Sequence, residues 1–90
     1  MNVEAVHIVV RGRVQGVWYR GNAQSRASEL GLAGWVKNCP DGTVEIHAEG
    51  ARGNLDKFVE WCRKGPPAAD VTGLDMTPVS PEGMENFLIR

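Results

Sequence analysis

Two strand-like runs, residues 33–38 and 43–49, flank Cys39-Pro40-Asp41-Gly42. This hairpin constrains the chain more than any other feature. Proline presets φ and glycine permits positive φ, so Pro-Asp-Gly between β-like runs is a turn with a mechanism. The second run alternates, with Val44, Ile46 and Ala48 on one side and Thr43, Glu45, His47 and Glu49 on the other. That pattern predicts a strand with one face in a core and its glutamate face in solvent.

Other segments fit around the hairpin. Residues 5–10, Ala-Val-His-Ile-Val-Val, are nearly all apolar and predict a strand buried on both faces. Residues 11–20 hold two glycines and no proline and read as an ordered loop. Ala23, Ala27 and Leu30 then give a helical stripe, with Asn22 as N-cap and Gly31 closing the C-terminus. A face made mostly of alanine lets that helix lie close to what it covers. Leu55, Phe58, Val59 and Cys62 form the stripe of a second helix. Asn54 suits its N-cap, Asp56 its first turn, Arg63 and Lys64 its last, and Gly65-Pro66-Pro67 its stop. Residues 71–79 make a weaker strand that Pro78 confines to an edge or an end, and Phe87-Leu88-Ile89 is a short closing strand.

The order β-loop-α-β-β-α-β, with a short terminal β, specifies an α+β fold. It is the ferredoxin-like split β-α-β sandwich (βαββαβ), an antiparallel sheet with two helices on one face. Ninety residues make one domain, 1–90, and 42% hydrophobic content excludes a disordered tail. Ten basic against eleven acidic side chains leave a net charge of −1, with no stripe to hold nucleic acid. Residues 43–49 carry two glutamates and no aromatic, against RNA reading in particular. No basic leader precedes residues 5–10, and that run is too short for a signal peptide or a membrane span. Cys39 and Cys62 lack CxxC spacing, which argues against zinc and dithiol redox chemistry and leaves a disulfide open. A cytoplasmic monomer without metal or cofactor is expected.

Arg20 is the anomaly. It lies beside a predicted helix start, where the dipole disfavours a cation by about 0.3–1 kcal/mol. The same helix end attracts anions, and glycines at 12 and 16 permit a nest of main-chain N–H groups over residues 13–19. A guanidinium beside such a nest suits a tetrahedral oxyanion. Composition by itself favours a merely solvated arginine. Nucleotide loops do not fit: no Lys-Ser/Thr follows the glycines, and no GxGxxG occurs. His7 and His47 have no partner at ligand spacing and read as structural, Trp35 and Trp61 as packing, and Cys62 as a small hydrophobe.

The string Gly12-Arg13-Val14-Gln15-Gly16-Val17-Trp18-Tyr19-Arg20 changes the balance. With Gly31-Leu32-Ala33-Gly34-Trp35-Val36-Lys37-Asn38 and Asp41-Gly42-Thr43-Val44-Glu45, it resembles the acylphosphatase family. The resemblance runs through Gly65-Pro66 to Phe87-Leu88-Ile89-Arg90 and implies the same ferredoxin-like fold. It implies hydrolysis of the carboxyl–phosphate anhydride of a small acyl phosphate, with inorganic phosphate as product and inhibitor. By the same resemblance, main-chain N–H groups of Arg13, Val14, Gln15, Gly16, Val17, Trp18 and Tyr19 cradle the phosphoryl group. Arg20 matches the phosphate-binding arginine and Asn38 the water-orienting asparagine. Tyr19 stands where Phe is commonest, Trp18 is bulky, and Cys39-Pro40 replaces the usual residues after the asparagine. A ferredoxin-like anion-binding module without catalysis is the alternative; it has no need of Asn38. The chain's length favours a stand-alone enzyme over the related domain of larger carbamoyl-transfer proteins.

Overall fold

The hairpin forms as its turn chemistry dictates. In a computed structural model describing residues 2–90, β2 (Ala33–Asn38) and β3 (Val44–Gly50) pair antiparallel, with Val36 opposite Ile46 and Asn38 opposite Val44. Asp41 Oδ1 accepts from the Thr43 N–H at 3.0 Å and from its hydroxyl at 2.6 Å, closing the turn.

The other elements are β1 (Glu4–Arg13), α1 (Tyr19–Glu29), α2 (Arg52–Lys64), β4 (Asp70–Val79) and β5 (Phe87–Ile89). Sheet order is β4-β1-β3-β2-β5, so β3 separates β1 from β2 as a split β-α-β requires. The first four strands pair antiparallel, and β4 is an edge strand, where Pro78 is tolerated. β5 runs parallel to β2, so the sheet is mixed rather than wholly antiparallel. The cause is the return path. Residues 80–86 leave β4 at one edge and must span the sheet to reach β2 at the other.

Both helices cover one face. Val6, Ile8 and Val10 of β1, Val36 of β2, and Val44, Ile46 and Ala48 of β3 meet Ala23 and Ala27 of α1 and Leu55, Phe58, Val59 and Cys62 of α2. The α2 stripe and the alanine face of α1 are as their spacing predicts. Gly31, at φ 69°, follows the end of α1, and the Leu32 N–H reaches back to Ala27 O at 2.9 Å. Cys62 is buried, and burial pushes its thiol up to about 12. Both cysteines are free.

Four expectations change. On the sheet's outer face His7 and Val9 are only half-buried, so β1 is not buried on both faces. The outer face of β3 is less solvated than its glutamates suggest: His47 is 3% and Glu49 4% exposed. The returning segment covers them. The Glu49 carboxylate accepts from the Glu82 and Met84 N–H groups at 2.7 Å each and lies 2.7 Å from His47 Nε2. Burial opposes ionisation of Glu49, but these hydrogen bonds outweigh it and hold the group below its ordinary value. Each histidine faces a carboxylate, His7 lying 2.6 Å from Glu45. Ala51, not Asn54, caps α2, which also places Asp56 beyond its first turn. No helix among the described residues is long and apolar enough to cross a membrane.

Candidate active site

β1 continues to Arg13, whose partner is Asp70, and α1 starts at Tyr19, so the loop shrinks to residues 14–18. The entry requires glycine. Gly12 sits at φ 121° beside a register shift, where a Cβ would lie 2.2 Å from Asp70 O. Tyr19 fixes the exit: its ring is buried, 5.4 Å from Trp61, and its hydroxyl donates to Cys62 O at 2.8 Å. Burial raises the Tyr19 pKa, so the hydroxyl stays a donor.

This anchoring moves the helix start upstream. Trp18, not Asn22, is the N-cap, and Asn22 acts from the first turn instead. The Asn22 N–H and Nδ2 donate to Trp18 O at 3.1 and 2.8 Å. Trp18 is left-handed, at φ 65°, a conformation that costs an L-residue about 1–2 kcal/mol. Gly16, at φ 72°, adopts the same hand without that cost. Among the described residues, nothing accepts from the main-chain N–H groups of residues 15–18. Successive unpaired N–H groups in such a backbone form an anion-binding concavity.

The predicted site residues separate in space. Val14 and Val17 are buried in the core, and Arg13 is exposed at the strand end and is not among the residues that border the cavity. Gln15 turns to the hairpin, its Nε2 donating to Cys39 O at 2.8 Å and Thr43 O at 2.9 Å. Val14, Gly16, Trp18 and Tyr19 border a cavity of about 410 Å³ with Arg20 and Gly21 of α1, Asn38 of β2 and Ile89 of β5. Arg20 and Asn38, 18 positions apart in the sequence, therefore share one cavity.

Arg20 is the second residue of α1 and donates through Nη1 to Arg90 O at 3.0 Å. Among the described residues no Asp or Glu side chain pairs with it, so its remaining donors meet no side-chain counter-ion. Asn38 ends β2, and its Oδ1 is buried without a hydrogen-bond partner among the described residues. An orphan acceptor of this kind costs about 1–3 kcal/mol unless something donates to it. The cavity lining includes no carboxylate, imidazole or thiol. The site can hold an anion by main-chain and guanidinium donors, and it sets the side-chain amide of Asn38 on the border of the same cavity.

Three participants were not read from the sequence: the Gln15 bridge to the hairpin, the main-chain oxygen of Arg90 behind Arg20, and Ile89 on the cavity border. No spacing rule links positions 24 to 70 residues apart, so nothing local signalled them.

The sequence model of the acylphosphatase family matches residues 6–89. An acylphosphatase of Methylococcus capsulatus is 56% identical over 81 residues, covering 90% of this chain and 88% of that protein. The structure of an acylphosphatase from Coxiella burnetii superposes with a TM-score of 0.95 at 38% identity, covering 99% of this chain and 94% of that one. The acylphosphatase from Bacillus subtilis gives a TM-score of 0.94 at 45% identity, over 97% and 98%. The chain belongs to the acylphosphatase family, enzymes that hydrolyse acyl phosphates.

Proposed function

We propose that the cavity hydrolyses the carboxyl–phosphate anhydride without a metal ion. The main-chain N–H groups of the 14–18 loop and the Arg20 fork hold the phosphoryl oxygens, and Asn38 orients the attacking water. The water oxygen forms a bond to phosphorus as the bond from phosphorus to the acyl oxygen breaks. The carboxylate departs with the electron pair, and the water's proton goes to an oxygen of the substrate's own phosphoryl group. The products are a carboxylate and inorganic phosphate.

The observation that carries this reading is the side chain of Asn38 on the border of a cavity that Arg20 also borders. A site that only binds an anion gains nothing from an acceptor there. A water molecule hydrogen-bonded to the Asn38 side-chain amide acquires a fixed direction of attack. The chemistry tolerates a sparse site. The leaving carboxylate is already good, and phosphoryl transfer depends mainly on positioning and charge stabilisation. No histidine or carboxylate occurs between residues 8 and 28 to act as a local base. The half-buried free thiol of Cys39 supports a reducing, cytoplasmic setting, in which we propose a monomer.

The test is turnover of a chromophoric acyl phosphate with and without EDTA, titrated with inorganic phosphate. Equal rates in chelator and competitive inhibition by phosphate are expected. Activity abolished by EDTA and restored by a divalent cation would overturn the reading.

A further inference from the structure

We propose that Trp18 is the specificity-determining residue for the acyl group, and that the preferred substrates are acyl phosphates with an aromatic acyl moiety. The inference rests on the proposed hydrolytic function and names its substrate class. Trp18 occupies the one non-glycine position of positive φ among the described residues, where glycine or asparagine fits with least strain. A tryptophan there is also 81% exposed, and its ring meets no other aromatic ring among the described residues. Neither folding nor packing accounts for the indole.

Its placement does. The two hydrogen bonds from Asn22 to Trp18 O fix the main chain, and the residue borders the cavity that Arg20 and Asn38 share. Ile89, 44% exposed, borders the same cavity. At about 410 Å³ the cavity has more room than a phosphoryl group takes. With the phosphoryl group held by the loop and Arg20, the acyl group extends past the loop's rim. There a flat apolar ring stacks on the indole and brings no polar group that needs a partner.

The measurement is kcat/KM for benzoyl phosphate relative to acetyl phosphate, in the unaltered protein and in Trp18→Asn and Trp18→Phe. Asparagine accepts the left-handed backbone but supplies no ring. The ratio isolates the side chain, because any disturbance of the loop's N–H groups affects both substrates alike. Trp18→Asn is expected to lower the ratio about tenfold, the size of one lost aromatic contact, through KM for benzoyl phosphate. Trp18→Phe should retain most of it. Inhibition by benzylphosphonate relative to methylphosphonate should shift in parallel, with no chemistry involved. Thermal stability of Trp18→Asn should equal or exceed that of the unaltered protein.

An unchanged ratio and unchanged relative inhibition in Trp18→Asn would overturn the assignment. So would a large loss of stability with selectivity intact, which would make the indole structural. If the unaltered protein hydrolysed neither substrate while the phosphonates kept their Trp18-dependent selectivity, the proposed hydrolysis would fail and the subsite would stand.

Discussion

The side-chain amide of Gln15 donates to the carbonyl oxygen of Cys39 at 2.8 Å, joining the loop between β1 and α1 to the residue after Asn38. A second bond, to Thr43 O at 2.9 Å, grips the other side of the turn. The anion-binding loop and the orphan acceptor are thus held by one amide, although they belong to different halves of the split β-α-β unit.

Gln15→Ala is therefore expected to loosen the site more than the fold. Two turn carbonyls lose a donor, which costs about 1–2 kcal/mol, or roughly 4–15 °C in Tm for a domain this small. kcat should fall further than that loss of stability explains, because Asn38 is placed through the turn. Gln15→Glu, which cannot donate, should do no better. Thermal melts alongside steady-state kinetics check both.

Arg20→Lys should fail nearly as badly as Arg20→Ala. The guanidinium spends one nitrogen on Arg90 O and keeps a planar edge for the anion; an ammonium cannot do both in that geometry. Each variant should lose about 10²-fold or more in turnover and bind inorganic phosphate more weakly. A lysine variant of near-normal activity would mean that only the charge matters.

Acid should weaken the protein partly through Glu49. Its folded-state pKa lies below the ordinary 4.5, so the unfolded chain takes up the proton first. The carboxylate's contribution is complete above about pH 4.5 and is lost as pH falls through the lower folded value. Glu45, lowered chiefly by its hydrogen bond with His7, acts in the same direction. Glu49→Gln should be less stable at neutral pH, because the amide cannot accept from His47, Glu82 and Met84 as the carboxylate does. Its Tm should also fall less steeply below pH 4.5. A slope identical to that of the unaltered protein would show that Glu49 does not titrate in folding.

Cysteine labelling should separate the two thiols. Cys62, buried on the α2 stripe and with its pKa pushed up to about 12, should resist alkylation until the chain unfolds. Half-buried Cys39 should react in the native state and slow turnover by bulk next to Asn38. Rapid native labelling of Cys62 would contradict its burial.

What the sequence revealed follows the range of the forces involved. The hairpin, the α2 stripe and the alanine face of α1 depend on periodicity and turn chemistry within a few residues, and each forms as read. Both helix starts moved, and at α1 long-range burial overrode the local cap. Tyr19, sunk against Trp61, set the α1 N-cap at Trp18, and Ala51 took the α2 cap that Asn54 suited. The glutamate face of β3 misled because only the returning segment 80–86 covers it, and nothing within residues 43–49 encodes that cover. Arg20 and Asn38 were singled out by resemblance to a family, and the fold brings them to one cavity. The supports behind them, Gln15 and the main-chain oxygen of Arg90, arise from distant contacts that local spacing does not signal.

Asn38 carries the central claim, and its substitution tests that claim most directly. A water held by the Asn38 amide matters mainly in the transition state, whereas phosphate contacts already exist in the bound ground state. Asn38→Ala should lower kcat by about 10²-fold or more, with much smaller changes in KM and in inhibition by phosphate. The fold should persist, because the side chain ends a strand and its oxygen has no partner to lose. Asn38→Asp should do no better, since it sets a negative charge beside the substrate's phosphoryl group. The decisive measurement is kcat for Asn38→Ala alongside its phosphate inhibition constant and its Tm. The account predicts a collapsed kcat with the other two nearly unchanged; near-normal kcat with a lowered Tm would reduce Asn38 to a turn residue and contradict it.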